Sequence, residues 1–468
     1  MDATHAVAHV DPFASVLLAL VVVTAAALAG RGLAERLGLA SVVGELAVGI
    51  ALSNVAYQLG NPLAALVMHG GDVTELLQRA WQSGEGIAVV LRDFVAGAHL
   101  GSDAASTRAL SALEGSAGPT LFVILTALWV FSNLGVILLL LMVGLESSIE
   151  GLLRVGGRAS AVALAGVVAP FALGYGVSLW LLPEASAAAH LFLGATFTAT
   201  SVGITARVLR DLGQTESSEA KVILGAAVID DVLGLVILAV VVGIAQSGRV
   251  ELAGIARIAL LSAGFLAAVL FFGERVGGWL ARVLVSLERR HAKLLAPLLV
   301  AFAMAWLANA IGLAAIVGAF AAGLMLRDEQ FAADSRASTS LHEVLAPLES
   351  IFAPVFFVLM GMQVNLELLA QPQTLVLGSA FVAVAIASKL ATGLFAGPGV
   401  SKWSIGLGMV PRGEVGLIFA SIGKQLGVVD ASVFSAVVLM VLATTLIAPL
   451  GLSWSLRRDL SPPLRSAE

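Results

Sequence analysis

The stretch Gly225-Ala-Ala-Val-Ile-Asp-Asp-Val-Leu-Gly-Leu-Val-Ile-Leu-Ala-Val-Val241 decides the fold, because it places two adjacent carboxylates, Asp230 and Asp231, inside an apolar run. With its apolar neighbours, the run has the length of a helix that crosses a membrane. A charged side chain near the bilayer centre costs at least ~3 kcal/mol, so such residues usually mark an ion or proton route. Adjacent helical positions point about 100° apart. We therefore expect one carboxylate to bind the ion and a counter-charge to hold the other.

Composition indicates a membrane protein along the whole chain. Hydrophobic residues make up 59% of the 468 residues and charged residues 12%, whereas soluble domains are roughly half apolar and a quarter charged. The net charge is −5, with no basic stripe, and this excludes a nucleic-acid partner. The chain has no cysteine, and its seven histidines lack metal-ligand spacing. We therefore expect no cofactor and no resident metal site.

Apolar segments of about 20 residues are the unit to count, because that length spans the hydrocarbon core. They lie near 13–33, 41–59, 122–146, 158–182, 188–210, 219–246, 253–280, 293–311, 313–326, 345–366, 373–396, 403–425 and 432–455. The predicted fold class is an all-α polytopic membrane protein with about thirteen transmembrane helices. Several segments are short or interrupted by Gly or Pro, so twelve helices remain possible.

Charges in the loops predict the orientation of the chain. Basic residues collect in alternate loops, as Arg36, Arg158, Arg210, Lys293 and Arg457 illustrate. The positive-inside rule then places the N-terminus outside and the C-terminus in the cytoplasm. An odd number of helices satisfies this orientation. The first apolar segment lacks a basic start and a cleavage site, so we expect it to be a retained helix.

An internal repeat is the next strong signal. Residues 38–52 match residues 312–326 at eight of fifteen positions, and residues 201–204 align with 414–417 in the same order. Helices 1–6 and 8–13 are therefore predicted to be two copies of opposite topology, with helix 7 as a linker. Inverted repeats place the substrate site near the bilayer midplane, between discontinuous helices.

The repeat also predicts the domain boundaries. These are helices 1 and 2 over 1–59, an external insertion over 60–118, helices 3–6 with the ion-binding core over 119–247, linker helix 7 over 248–291, repeat two over 292–457, and a short cytoplasmic tail over 458–468. The insertion could serve packing, dimer contact or covering of an outer vestibule. The short tail leads us to expect no cytoplasmic nucleotide-binding domain.

Helix 5 and its repeat mate, helix 12, are both unusual for lipid-buried segments. The polar and small residues at the centre of helix 5 are Thr196, Thr198, Thr200, Ser201, Gly203 and Thr205. Helix 12 has Pro411-Arg-Gly-Glu-Val-Gly416 at the equivalent place. Such breaks survive in a membrane where they line a cavity, so we expect both helices to unwind there. Arg412 beside a carbonyl end and Glu414 beside an amide end would compensate the exposed helix dipoles. The alternative for helix 5 is ordinary packing, with hydroxyls bonded back to the preceding turn.

Lys389 is a single cation inside the apolar segment 373–396. It lies a few residues closer to the cytoplasm than Asp230, a difference that a lysine side chain spans. Snorkelling of the ammonium to the interface is the alternative. An ion pair with Asp230 is favoured, because unpaired charges at that depth would each be expensive.

Taken together, these motifs resemble bacterial sodium/proton antiporters of the NapA type, in the Kef/NapA-like branch of the monovalent cation:proton antiporter superfamily. The motifs are Thr200-Ser-Val-Gly-Ile-Thr-Ala-Arg-Val-Leu209, Asp230-Asp231, Lys389 and Pro411-Arg-Gly-Glu-Val-Gly-Leu417. The resemblance covers nearly the whole chain except about 60–118. It implies an NapA/NhaA-like fold with crossed broken helices, and a multi-pass location in the inner membrane.

The resemblance also implies the site residues and the mechanism. Asp231 would bind Na⁺ and exchange it for a proton, with Thr200 and Ser201 at the helix 5 break lining the site. Asp230 would pair with Lys389, a pattern found in the electrogenic members. Transport would follow an elevator movement, in which helices 4–6 and 11–13 slide against a homodimeric scaffold. The partners would be Na⁺ (or Li⁺ or K⁺), H⁺, the bilayer and a second copy of the chain.

Other classes fit the residues less well. A potassium/proton antiporter of the same fold is the nearest alternative. An intramembrane aspartyl protease needs facing carboxylates from different helices, which adjacent Asp230 and Asp231 do not provide. A channel or an anion or organic-solute carrier could also use broken helices, but two carboxylates beside Lys389 make the local charge negative. We therefore expect a transporter rather than an enzyme.

Overall fold

The computed structural model describes residues 12–37, 41–68, 118–146, 149–247, 252–287, 291–311, 313, 315–331, 340–364, 366–369, 372–412, 416, 419–420, 423 and 428–460. Most of the predicted insertion, 69–117, lies outside the described residues, as do Glu414 and the predicted tail beyond 460. The backbone of Asp231 is described, whereas its side chain also lies outside the described part.

Every regular element in these ranges is helical. The α-helices are α1 (Pro12–Arg36), α2 (Ser41–Gln58), α3 (Pro62–Met68), α4 (Gly118–Glu146), α5 (Ile149–Leu181), α6 (Ala187–Thr196), α7 (Val202–Asp211), α8 (Ser218–Ser247), α9 (Leu252–Leu287), α10 (Ala292–Ala310), α11 (Ala315–Met325), α12 (Leu341–Met362), α13 (Leu366–Leu369), α14 (Pro372–Thr392), α15 (Lys402–Met409) and α16 (Ala431–Leu460). Short 3₁₀ turns occupy Asp328–Phe331 and Gly393–Phe395.

Eight of the described helices are long and apolar enough to cross a membrane. The prediction of an all-α polytopic membrane protein is therefore confirmed, while a total of about thirteen spans stays a prediction. Helices α6 and α11 are apolar but shorter. Within the predicted insertion, α3 packs its buried residues against α2, α4 and α12.

The helices pack as two groups. One group, the scaffold body, contains α1–α4 and α10–α12; the other, the site body, contains α5–α8 and α13–α16. Helix α9 lies between them, in contact with α8 on one side and with α10 and α11 on the other. The site body holds the predicted helices 4–6 and 11–13.

Glycines let the helices of the scaffold body approach closely. A Cβ on Gly144 of α4 would meet the backbone of Gly323 in α11, and a Cβ on Gly49 of α2 would meet the backbone of Gly361 in α12. Small residues of this kind allow direct backbone contact between membrane helices. These crossings join the scaffold helices as one tightly packed unit.

At Gly203 the interface between the two bodies is packed less closely. Gly203 of α7 faces side chains of Val136, Leu140 and Phe356, and a Cβ there would lie 3.6–4.0 Å from them, an ordinary van der Waals distance. Helix α16 of the site body contacts α2 of the scaffold body nearby. A mostly apolar cavity of about 80 Å³ lies between α16 and helices α2, α4 and α12.

Candidate ion-binding site

The predicted break in helix 5 is present. Helix α6 ends at Thr196, α7 begins at Val202, and the backbone between them is not helical. In the repeat mate, α15 ends at Met409, and the described backbone that follows, through Arg412, is not helical. The Ser201 amide donates a hydrogen bond of 2.8 Å to the Pro411 carbonyl, so the two non-helical segments contact each other directly. This bond satisfies a buried backbone donor that lipid could not satisfy.

Arg412 fills the region where the two segments meet. Its side chain is fully buried, and its Nη1 donates a hydrogen bond to the Ala199 carbonyl in the break after α6. The Thr445 hydroxyl on α16 in turn donates to the Arg412 carbonyl. The guanidinium thus lies beside the Ala199 carbonyl near the C-terminal end of α6, where a cation is electrostatically favoured. Its predicted counterpart Glu414 lies outside the described residues.

Lys389 and Asp230 form a buried ion pair. The Lys389 ammonium lies 3.3 Å from Asp230 Oδ2. The ammonium also donates a hydrogen bond of 2.7 Å to the Gly166 carbonyl of α5. Lys389 is 0% and Asp230 2% exposed, so the ammonium does not snorkel to an interface. The pair connects α14 to α8, and the carbonyl ties it to α5.

The Thr200 hydroxyl bridges this ion pair. It donates a hydrogen bond to Asp230 Oδ2 and accepts one of 2.8 Å from Lys389 Nζ. Two other hydroxyls of helix 5 behave differently: Thr196 donates to the Phe192 carbonyl and Thr198 to the Ala195 carbonyl, both within the preceding turn. Thr205 donates across to the Gly408 carbonyl of α15 at 2.7 Å. Among the predicted lining residues, Thr200 therefore contacts the ion pair, while Thr198 follows the back-bonded alternative.

Two buried oxygens near the break have no hydrogen-bond partner among the described residues. They are Asp230 Oδ1 and Ser201 Oγ. Asp231 is the next residue of α8 after Asp230. Carboxylate, hydroxyl and carbonyl oxygens are the ligands that hard cations prefer. Asp230 Oδ1 and Ser201 Oγ are therefore candidate ligands for a monovalent cation.

Some of these contacts are not predictable from residue types. The Gly166 carbonyl is a backbone group, and nothing in the residue type marks it as a lysine partner. The structure also buries two charged residues that the sequence motifs do not include, Glu45 on α2 and Glu349 on α12. An acidic residue inside an apolar segment was the signal available for Glu45.

Known proteins match this chain over nearly its whole length. The family described as sodium/hydrogen exchanger, transmembrane, matches residues 23–458. The chain belongs to this family. Within the sodium/hydrogen exchanger family, the high-affinity Na⁺/H⁺ antiporter NhaS3 of Synechocystis is 35% identical over 443 residues, which cover 93% of this chain and 88% of that protein.

Two further proteins are similar to this chain. The Na⁺/H⁺-K⁺ antiporter GerN of Bacillus cereus is 35% identical over 330 residues, 68% of this chain and 80% of that protein. The solved structure of the sodium proton antiporter MjNhaP1 from Methanocaldococcus jannaschii aligns with a TM-score of 0.48 and 16% identity, over 96% of this chain and 95% of that chain. The relatives confirm the predicted resemblance to cation/proton antiporters.

Proposed function

We propose that this protein is a sodium/proton antiporter of the inner membrane, in which Na⁺ and H⁺ compete for the Asp231 carboxylate. One observation carries the proposal: in a chain of the sodium/hydrogen exchanger family, the buried Lys389–Asp230 pair lies at the contact between two interrupted helices. Asp231 follows Asp230 directly in the sequence. The names of NhaS3 and GerN support the same substrates.

The proposed roles divide between the two carboxylates. Asp231 binds the cation or the proton, with Ser201 as a further oxygen ligand. Asp230 is held by Lys389 and Thr200, which leaves one of its oxygens available to the site. Exclusive occupancy of Asp231 couples the two flows, because one carboxylate cannot be both protonated and bound to a metal cation.

The packing supports an elevator movement of the site body. The residues of the site lie on α5, α8, α14 and α15 and in the break between α6 and α7, all within one body. Close backbone crossings tie the scaffold helices to each other, whereas Gly203 meets the scaffold only through side chains. Moving an uncompensated carboxylate across hydrocarbon is prohibitive, so the loaded form is the one that reorients.

Further features of the proposal come from the resemblance and the loop charges. We propose a homodimer, an N-terminus outside, a C-terminus in the cytoplasm, and two inverted repeats that give about thirteen spans. Exchange is proposed to be electrogenic. Arg412 and the predicted partner Glu414 are proposed to compensate the dipoles of the broken helices.

Exchange in proteoliposomes tests the proposal directly. Purified protein is reconstituted with a pH-sensitive dye inside, and Na⁺ is added outside at constant pH. Sodium should release internal protons, whereas choline at the same ionic strength should not. If none of Na⁺, Li⁺ and K⁺ releases internal protons, cation/proton antiport is rejected.

Potassium/proton exchange is the second candidate, and the relative GerN, named for both Na⁺ and K⁺, favours testing it. Concentration series of Na⁺, Li⁺ and K⁺ in the same liposomes give the preference. If K⁺ reaches half-saturation at a lower concentration than Na⁺, potassium is the preferred substrate.

A further inference from the structure

A second cluster of charges, half of them buried, lies at the other end of helix α7, near the cytoplasmic surface in the predicted orientation. It consists of Arg31, Glu45, Arg207, Arg210, Asp211 and Glu349, which we name the α7 charge cluster. Three of these residues are cationic and three anionic, so the cluster is electrically balanced. None of them belongs to the ion site.

Arg207 is the centre of the α7 charge cluster. Its guanidinium lies 2.8 Å from Glu349 on α12, 3.6 Å from Glu45 on α2 and 2.9 Å from Asp211 on its own helix. Arg210 lies 2.9 Å from the same Glu349 oxygen. Arg207, Glu45 and Glu349 are each at most 5% exposed. Breaking such a buried pair by removing one partner is strongly destabilising.

Asp211 adds a bond to the backbone of the scaffold body. Its Oδ2 accepts hydrogen bonds from the Ser41 amide at 3.2 Å and the Ser41 hydroxyl at 2.5 Å. Ser41 is the first residue of α2, so its amide is one of the donors that a helix N-terminus leaves without an intrahelical partner. A carboxylate there is stabilising. Asp211 of the site body thus caps the N-terminus of α2 in the scaffold body.

The contacts of the α7 charge cluster join the site body to the scaffold body. Arg207, Arg210 and Asp211 move with the site body, whereas Arg31, Glu45, Glu349 and Ser41 belong to the scaffold body. The other described contacts of α7 with the scaffold, around Gly203, are with apolar side chains and can slide. Charge-assisted hydrogen bonds are directional and short, so they cannot follow a displacement of several ångströms.

The outer half of the interface contains a cavity. The cavity of about 80 Å³ between α16 and the scaffold helices is lined by Ser132 and Gln363 among apolar residues. In the predicted orientation it extends from Thr445, which bonds to the Arg412 carbonyl at mid-membrane, to Gln363 just beyond the outer end of α12. Ion pairs therefore hold this interface together on its cytoplasmic side. Towards the outside it contains the cavity and a hydrogen bond of 3.0 Å from the Leu366 amide to Asn54 Oδ1.

We propose that the α7 charge cluster is a cytoplasmic latch that holds the site body against the scaffold in the outward-facing state and must open in every transport cycle. This inference rests on the proposed function, because it assumes a moving site body. On opening, the arginines and carboxylates enter water, and hydration replaces the bonds that they lose.

The native chain has no cysteine, so single cysteines can report the two sides of the interface without background. Val42→Cys places a thiol beside Ser41 at a fully buried position of α2. Ser132→Cys places one in the outer cavity. A membrane-impermeant maleimide is added to sealed vesicles. It is added on the cytoplasmic side to label Val42→Cys and on the outer side to label Ser132→Cys.

Glu349→Gln removes the acceptor shared by Arg207 and Arg210, and Glu343→Gln on the same helix is the matched control. Glu343 is exposed and caps α12 through its interaction with Ser340, a role that Gln also fills. We expect Glu349→Gln to raise the cytoplasmic labelling rate of Val42→Cys about tenfold, the factor produced by about 1.4 kcal/mol. Labelling of Ser132→Cys from outside should fall at the same time, and Glu343→Gln should change neither rate.

Faster labelling of Val42→Cys together with slower labelling of Ser132→Cys distinguishes opening of a latch from local loosening of the fold. If Glu349→Gln speeds labelling on both sides, it loosens the fold, and the latch is rejected. Unchanged rates on both sides reject it as well. Arg210→Gln, at a more exposed position, is the second variant if Glu349→Gln does not yield folded protein. Labelling does not require transport, so loss of Na⁺/H⁺ exchange in the unaltered protein would reject the proposed function separately.

Discussion

Lys389 Nζ lies 3.3 Å from Asp230 Oδ2, and the Thr200 hydroxyl bonds to both groups. The three residues come from α14, α8 and the break between α6 and α7. Since all three are buried, each polar group depends on the other two for the interactions that water would otherwise supply. The same three residues therefore contribute to the stability of the site body and to the chemistry of the site.

Replacement of Lys389 should destabilise the protein. Lys389→Ala leaves Asp230 as a buried charge without its ammonium partner, a change typically worth about 3–5 kcal/mol. Lys402→Ala removes an exposed lysine and serves as the matched control. Thermal melting of the detergent-purified proteins should show a large decrease for Lys389→Ala and almost none for Lys402→Ala.

A double variant tests the cause of that loss. Lys389→Ala combined with Asp230→Asn removes both charges and should recover much of the lost melting temperature. If Lys389→Ala alone melts like the unaltered protein, the ion pair contributes nothing to stability and this explanation is wrong.

Thr200 and Thr198 allow a matched comparison of two buried hydroxyls. Thr200→Val removes hydrogen bonds to charged groups, worth about 1.5–3 kcal/mol each, whereas Thr198→Val removes one bond to a backbone carbonyl, worth about 1 kcal/mol. We expect Thr200→Val to lower both the melting temperature and the exchange rate in liposomes, and Thr198→Val to have a small effect on either. Equal effects of the two variants would show that bridging the ion pair has no special role.

Much of the fold could be predicted from the sequence, because membrane helices carry their own signal. The apolar segment near 219–246 corresponds to α8 (Ser218–Ser247), and the segment near 188–210 to α6 and α7 with the break at the predicted place. The break was visible because hydroxyl and glycine residues cluster there. The Lys389–Asp230 pair was predictable because isolated charges in a bilayer need partners.

The α7 charge cluster could not be predicted in the same way. Arg207 and Arg210 lie at a helix end, where basic residues ordinarily face the cytoplasm and only indicate orientation. Their partner Glu349 is 142 residues from Arg207 in the sequence and comes from the other body. Contacts between distant helices depend on how the two bodies dock, and helical periodicity carries no information about that.

Asp231 should be essential for exchange and not for folding. Asp231→Asn keeps the size of the side chain but removes the carboxylate on which Na⁺ and H⁺ are proposed to compete. Asp430→Asn is the matched control, since Asp430 is exposed at the start of α16 and Asn also caps helices well. In proteoliposomes, Asp231→Asn should abolish Na⁺-driven proton release and Asp430→Asn should retain it. Full exchange by folded Asp231→Asn would remove Asp231 from the mechanism.

Transport should move net charge across the membrane. The resemblance of the Asp230–Asp231–Lys389 pattern to electrogenic antiporters implies two protons for each Na⁺, because Asp230 and Lys389 supply a second titratable pair beside Asp231. Each cycle would then carry one charge and gain about 2.3 kcal/mol per 100 mV of membrane potential. A solid-supported membrane bearing the proteoliposomes should give a transient current after a Na⁺ jump at equal pH on both sides, and Asp231→Asn liposomes should give none. If the unaltered protein exchanges Na⁺ for H⁺ in the dye assay but produces no current, exchange is one-for-one. The ion pair would then hold the site together without carrying a proton.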